Sequence, residues 1–178
     1  MIKTTTELNA EALSAVRAIH LASPGNVKKR HLVRNVAVIV AVVMVLFAAV
    51  YVPQQNYATA AIILAFGAIC LWMGFKGGYL YQDHVMRKRQ AASDPRVVSG
   101  IRENTFDESG VTVFSDMGGG KNVWESFNFW GICQGYFYLQ RIDNQYVLVK
   151  LGNLTAEEQR ELCTLATAHL GQPMSFEK

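Results

Sequence analysis

Hydrophobic and polar positions are spread unevenly along this chain. Residues 35–75 form a block of 41 without a single Asp, Glu, Lys or Arg. Pro53-Gln54-Gln55-Asn56-Tyr57 interrupts the block and leaves two apolar runs. The first, residues 36–52, has 17 residues, of which eleven are Val, Ile, Leu or Phe. As a helix rising ~1.5 Å per residue it spans ~25 Å, slightly short of a ~30 Å hydrocarbon core. The second, residues 58–75, has 18 residues with seven from that set. Its Ala58, Ala61, Ala65 and Ala68 recur at helical spacing, as Ala37, Ala41 and Ala48 do on the first run. Small-residue stripes let membrane helices pack closely, and so short a loop makes the pair an antiparallel hairpin. Two helices buried in a soluble core, or a strand reading of the valine-rich run, leave the flanking basic clusters unexplained. A cleaved signal peptide does not fit a 34-residue positive region followed by a second apolar run.

Outside this block the pattern changes. Residues 1–34 read as a helical arm, capped by Thr4 or Asn9, with Leu8, Ala12, Ala15 and Ile19 on one face. Ser23-Pro24-Gly25 ends it. Its face is mostly alanine, which favours packing against the rest of the protein over interfacial binding. Residues 77–95 form a partly helical linker, weakened by Gly77 and Gly78 and stopped by Ser93-Asp94-Pro95. Residues 96–172 then alternate polar and apolar side chains between turns, predicting five antiparallel strands at 101–106, 111–115, 122–129, 136–142 and 146–151. Asp107-Glu108-Ser109-Gly110 is a tight turn, and residues 116–121 form a looser one. Thr155 and Glu158 form a capping box, and Leu162, Leu165, Ala166 and His169 line the terminal helix they start. Gly171 and Pro173 end that helix, leaving 173–178 as a tail. The fold class is α+β: a transmembrane hairpin (35–76), then a small antiparallel β domain closed by a C-terminal helix.

Charge orients the hairpin. Lys28, Lys29, Arg30 and Arg34 precede the first run, and Lys76, Arg87, Lys88 and Arg89 follow the second, while the loop between carries none. Basic flanks stay cytoplasmic, so both termini are expected there. Residues 1–90 hold ten Lys or Arg against three acids, and residues 96–178 seven against ten. The net +3 therefore averages a basic membrane collar and a mildly acidic domain. The collar is a topology signal that also suits anionic lipid headgroups. With no recognition motif beside it, it does not indicate nucleic acid.

Candidate chemistry is sparse. Three cysteines, Cys70, Cys133 and Cys163, make neither a disulfide scaffold nor a zinc ribbon. The four histidines stand apart from other ligands, so no metal or cofactor is expected. Cys163 and His169 are six apart and share no helical face. Gly118-Gly119-Gly120-Lys121 lacks the Ser or Thr and the helix of a phosphate loop, and reads as a flexible turn. No catalytic constellation emerges, which indicates a non-enzyme. Ten of the 19 aromatics fall between Phe106 and Tyr146. On one strand Phe127 and Phe129 share a face while Trp124 and Trp130 share the other. Core packing is the favoured reading, because a small domain needs large side chains to bury enough area, and these four are the candidate partner-binding residues if one face is left uncovered.

Two apolar helices, then "TFDESGVTV", the Trp of "NVWESF", the aromatic "GYFYLQ" and "YVLVKLGNLTAEE" before a final helix resemble the YcxB-like family. The resemblance implies a pleckstrin-homology-like (PH-like) domain on the cytoplasmic side of a bacterial inner membrane, in a multi-pass protein. It implies fold and topology without an activity. The expected function is a membrane-anchored, non-catalytic binding module whose partners, besides the bilayer, are a protein segment or an anionic headgroup. The alternative is a structural or protective (immunity-type) protein acting as a homo-oligomer through its small-residue helix faces.

Overall fold

The computed structural model describes residues 1–92 and 99–174. The predicted break at Ser93-Asp94-Pro95 and the end of the tail lie outside the described residues. The chain divides into two compact units, one built from residues 1–19 together with those from 92 onward, the other from residues 20–91.

The second unit is helical. Helix α2 (Pro24–Tyr51) starts with Pro24 in its first turn, where a missing N–H costs nothing. Helix α3 (Tyr57–Trp72) starts at Asn56, whose side chain accepts from the Thr59 amide. It continues through a π-helical turn (Met73–Gly77) into α4 (Gly78–Ala92), so Gly77 and Gly78 do not break it. Both α2 and the continuous run Tyr57–Ala92 are long and apolar enough to cross a membrane. Only 17% and 11% of their most apolar windows are buried, so neither is the core helix of this fold.

Small residues hold the two helices together. Ala37, Ala41 and Ala48 of α2 are buried, as the sequence pattern predicts. On the returning helix the buried small residues are Ala60, Gly67 and Gly74. Ala58, Ala61, Ala65 and Ala68, the expected stripe, lie exposed. Alanine occupies several faces of this helix, and the contact runs along the seven-residue spacing that contains the glycines. At Gly74 an added Cβ would sit 2.3 Å from the Ala37 Cβ, so only glycine permits this approach.

The first unit is α+β. Its strands are β1 (Ile2–Leu8), β2 (Gly100–Asp107), β3 (Gly110–Ser115), β4 (Gly118–Asn122), β5 (Phe127–Cys133), β6 (Tyr136–Arg141) and β7 (Tyr146–Lys150). They form two antiparallel sheets, in orders β1-β2-β3-β4 and β5-β6-β7. The beginning of the chain is therefore not part of a purely helical arm. Ile2, Thr4 and Thr6 point inward and alternate with exposed residues, and Ile2 to Leu8 pair with Phe106 to Gly100. β-Branched threonines suit a pleated strand, but their polarity hides the alternation from a hydrophobicity reading. Helix α1 (Ala10–Ala22) follows, capped by Asn9 through the Ala12 amide. As the sequence predicts, Ala12, Ala15 and Ile19 are fully buried, here against Tyr136, Tyr138 and Leu148 of the second sheet.

The glycine-rich segment also differs from expectation. Gly118 to Asn122 form β4 rather than a turn, pairing with Ser115 to Val111. The central core joins Ile2, Phe106 and Val111 of the first sheet to Phe137, Leu139, Val147 and Val149 of the second. Helix α5 (Ala156–Leu170) closes this core with Leu162 and Ala166, and starts in the predicted Thr155–Glu158 capping box.

Candidate functional site

The four aromatics selected from the sequence do not make a free surface. Trp124, Phe127 and Trp130 are buried together in the central core. Phe129 packs partly buried on the other side of the second sheet, edge-on to Tyr138. Strict strand alternation separates Phe127 from Trp130, but a register shift between Phe127 and Phe129 brings both to one side. Trp124 precedes the strand, in a 3₁₀ turn (Trp124–Ser126). Its indole donates to the Asp107 carbonyl at 2.9 Å and stacks 4.9 Å from the His169 ring. Trp130 donates to the Gly171 carbonyl at 2.8 Å, and its own carbonyl accepts from the Met174 amide, which fastens the chain beyond α5. Trp124, Phe127 and Trp130 thus build the central core, the reading the sequence favours, and Phe129 packs on the opposite side of the sheet.

Other side chains of this unit are equally structural. Lys121 pairs with Asp107, whose carboxyl is held below its usual range chiefly by the Ser109 hydroxyl and amide. Burial pushes the Cys133 and Cys163 thiols up, away from the reactive thiolate. His169 stands 3.4 Å from Glu108. A cleft of about 540 Å³ beside them is lined by Asp107, Glu108, Ser109 and Glu161.

The basic collar, in contrast, is gathered by the fold. Residues 20–91 contain eight Lys or Arg and one acid, Asp83, which pairs with Arg87 at 2.7 Å. Arg30 and Arg34 lie one turn apart on α2, on a shared face. The tight approach of Gly74 to Ala37 places Arg34 beside the residues that follow Gly74. The Arg34 guanidinium lies 5.8 Å over the Phe75 ring, and its Nη2 is 2.9 Å from His31 Nδ1. Arg30 donates at 2.7 Å to both the Leu21 carbonyl and Gln82 Oε1, tying α2 to α4 within the helical unit.

Between these elements lies a pocket of about 480 Å³, lined by Arg30, His31, Arg34, Phe75, Lys76 and Tyr79. A second cleft of about 370 Å³ lies among His20, Lys29, Tyr81 and Arg89. There burial first, then the charges of Arg89 and Lys29, hold the His20 pKa below 6.5. Lys28, Arg87 and Lys88 are exposed on α2 and α4. Sequence reasoning found the cations but missed His31, Phe75 and Tyr79. Phe75 and Tyr79, 44 to 49 positions from Arg30 and His31, meet them only because the hairpin folds back.

No family model matches the chain, and neither a curated protein nor a solved structure is similar to it.

Proposed function

We propose that this protein is a membrane-anchored, non-catalytic binding module, with its hairpin in the bacterial inner membrane and a PH-like β unit at the cytoplasmic face. The observation that carries the reading is the exposed apolar surface of the helices. Val36, Ile39, Leu46, Phe47 and Val50 on α2, and Ile62, Phe66 and Ile69 on α3, all point outward. Large apolar side chains exposed side by side along two helices are uncommon on a monomer in water, and lipid is the solvent that suits them. Tyr51 and Tyr57 flank the loop end and Trp72 and Tyr79 the other, as interfacial aromatics do.

The topology has independent support. β1 precedes the hairpin and β2 follows it, yet they pair over seven residues. Both must therefore lie on one side of a bilayer, and an even number of crossings between them suits that requirement. Basic residues at the same end favour the cytoplasmic side. Four plus three antiparallel strands closed by a C-terminal helix support the PH-like reading.

The test is a topology map of the full chain, with cysteines placed at Gln55 and at Gln134 after the native ones are changed to serine. A membrane-impermeant maleimide is expected to label Gln55→Cys in intact cells, and Gln134→Cys only after lysis. Extraction of the protein by alkaline carbonate, or the reverse labelling, would refute the reading. A structural, oligomerising role is favoured by one separate observation, the exposed Ala58, Ala61, Ala65 and Ala68. For that role, Ala61→Leu with Ala65→Leu should reduce an oligomer seen by sedimentation in detergent to a monomer.

A further inference from the structure

We infer that the pocket lined by Arg30, His31, Arg34, Phe75, Lys76 and Tyr79 holds the phosphate headgroup of an anionic phospholipid. The inference rests on the hairpin spanning a bilayer and names a ligand for its basic end. Arg34 and Lys76 are the residues that bound the uncharged block, 42 positions apart in sequence. The antiparallel hairpin returns them to one pocket, at the level where apolar helix surface gives way to charge. That is where a lipid phosphate lies.

The chemistry of the lining is selective. Among the described residues none of Arg30, Arg34 and Lys76 forms an ion pair with a carboxylate, and the only acid of the unit is held by Arg87. Arg34 is steadied by Phe75 below and His31 beside it, and a guanidinium has five donors, so several remain for an anion. Its planar fork matches two phosphate oxygens, and Lys76 adds a compact charge to the lining. Arg30 is anchored by Leu21 and Gln82, which orders that wall in advance. Val27 and Leu80 complete the lining with apolar surface. An acyl chain leaving the pocket meets the exposed apolar faces of α2 and α3, which a soluble phosphate cannot use. Basic pockets between membrane helices are suited to headgroups for these reasons.

The experiment uses the full chain in vesicles of phosphatidylcholine alone or with phosphatidylglycerol, reading lipid retention by native mass spectrometry after detergent release. Preferential retention of phosphatidylglycerol is expected. Arg34→Gln with Lys76→Gln should lower that preference by about fivefold for each charge removed. Lys28→Gln with Lys88→Gln removes the same charge outside the pocket and should leave most of it. Equal loss in both double variants, or no preference in the wild type, overturns the inference while leaving the membrane reading intact. Competition by millimolar inorganic phosphate would overturn the lipid assignment. Failure of the chain to enter vesicles of either composition removes the membrane reading itself, and the inference with it.

Discussion

The β unit should not fold without the residues that precede the hairpin. Excising residues 1–19 and retaining 99–174 removes β1 and most of α1. Ile2 is 3% exposed and Ile19 is fully buried. At ~1.5–3 kcal/mol per buried isoleucine, those two side chains contribute about 3–6 kcal/mol. Excision also uncovers the fully buried Tyr136 and Tyr138, opens the edge of β2, and removes the Thr6 hydroxyl and Thr5 carbonyl that accept from Lys150 and Asn153. Set against a total of about 5–15 kcal/mol for a domain, the loss takes most of the stability. The fragment should therefore show no cooperative urea transition by circular dichroism. Joining residue 19 to residue 99 by a Gly/Ser linker of about 12 residues should restore one. Such a linker spans roughly 17–21 Å, enough to offset the ~15 Å rise of the ten α1 residues that leave β1 opposite Gly100. A fragment of 99–174 that unfolds cooperatively at the same midpoint as the linked protein would refute the discontinuous unit.

Two glycines of this unit should respond to alanine with very different costs. At Gly110, φ is +146° and a Cβ would lie 2.2 Å from the Asn122 carbonyl oxygen, so Gly110→Ala should cost about 3 kcal/mol or more in urea melts of the linked protein. At Gly119 the obstacle is the exposed Phe114 ring, which can swing away, so Gly119→Ala should stay within about 1 kcal/mol of wild type. In the hairpin, Gly74→Ala forces a Cβ against Ala37, and should destabilise the full chain in detergent by about 1–3 kcal/mol in thermal melts. Alkaline pH should weaken the β unit. Burial pushes Tyr146 up to about 12 and raises Tyr138 as well, so the folded state keeps protons that the unfolded state releases above 10. Stability is then full below pH 10 and falls as pH rises toward 12; urea midpoints should decline over that window, and Tyr146→Phe should make the decline shallower.

Much of this protein was legible in order along the chain. The uncharged block, its polar interruption and its basic flanks mark the hairpin, because helix length and desolvation cost depend on local composition. The Thr155–Glu158 cap and the alanine face of α1 are local patterns too, and both stand in the structure. What tertiary structure alone decided depends on partners distant in sequence. Ile-Lys-Thr-Thr-Thr-Glu-Leu becomes a strand because β2, nearly 100 residues later, offers an open edge. A bulge turns Phe127 and Trp130 to one side, and converts a candidate binding surface into core. Gly74 rather than the alanine stripe sets where the helices meet. That meeting point draws Arg34, Phe75 and Lys76 into one pocket, an arrangement that no spacing within either helix encodes.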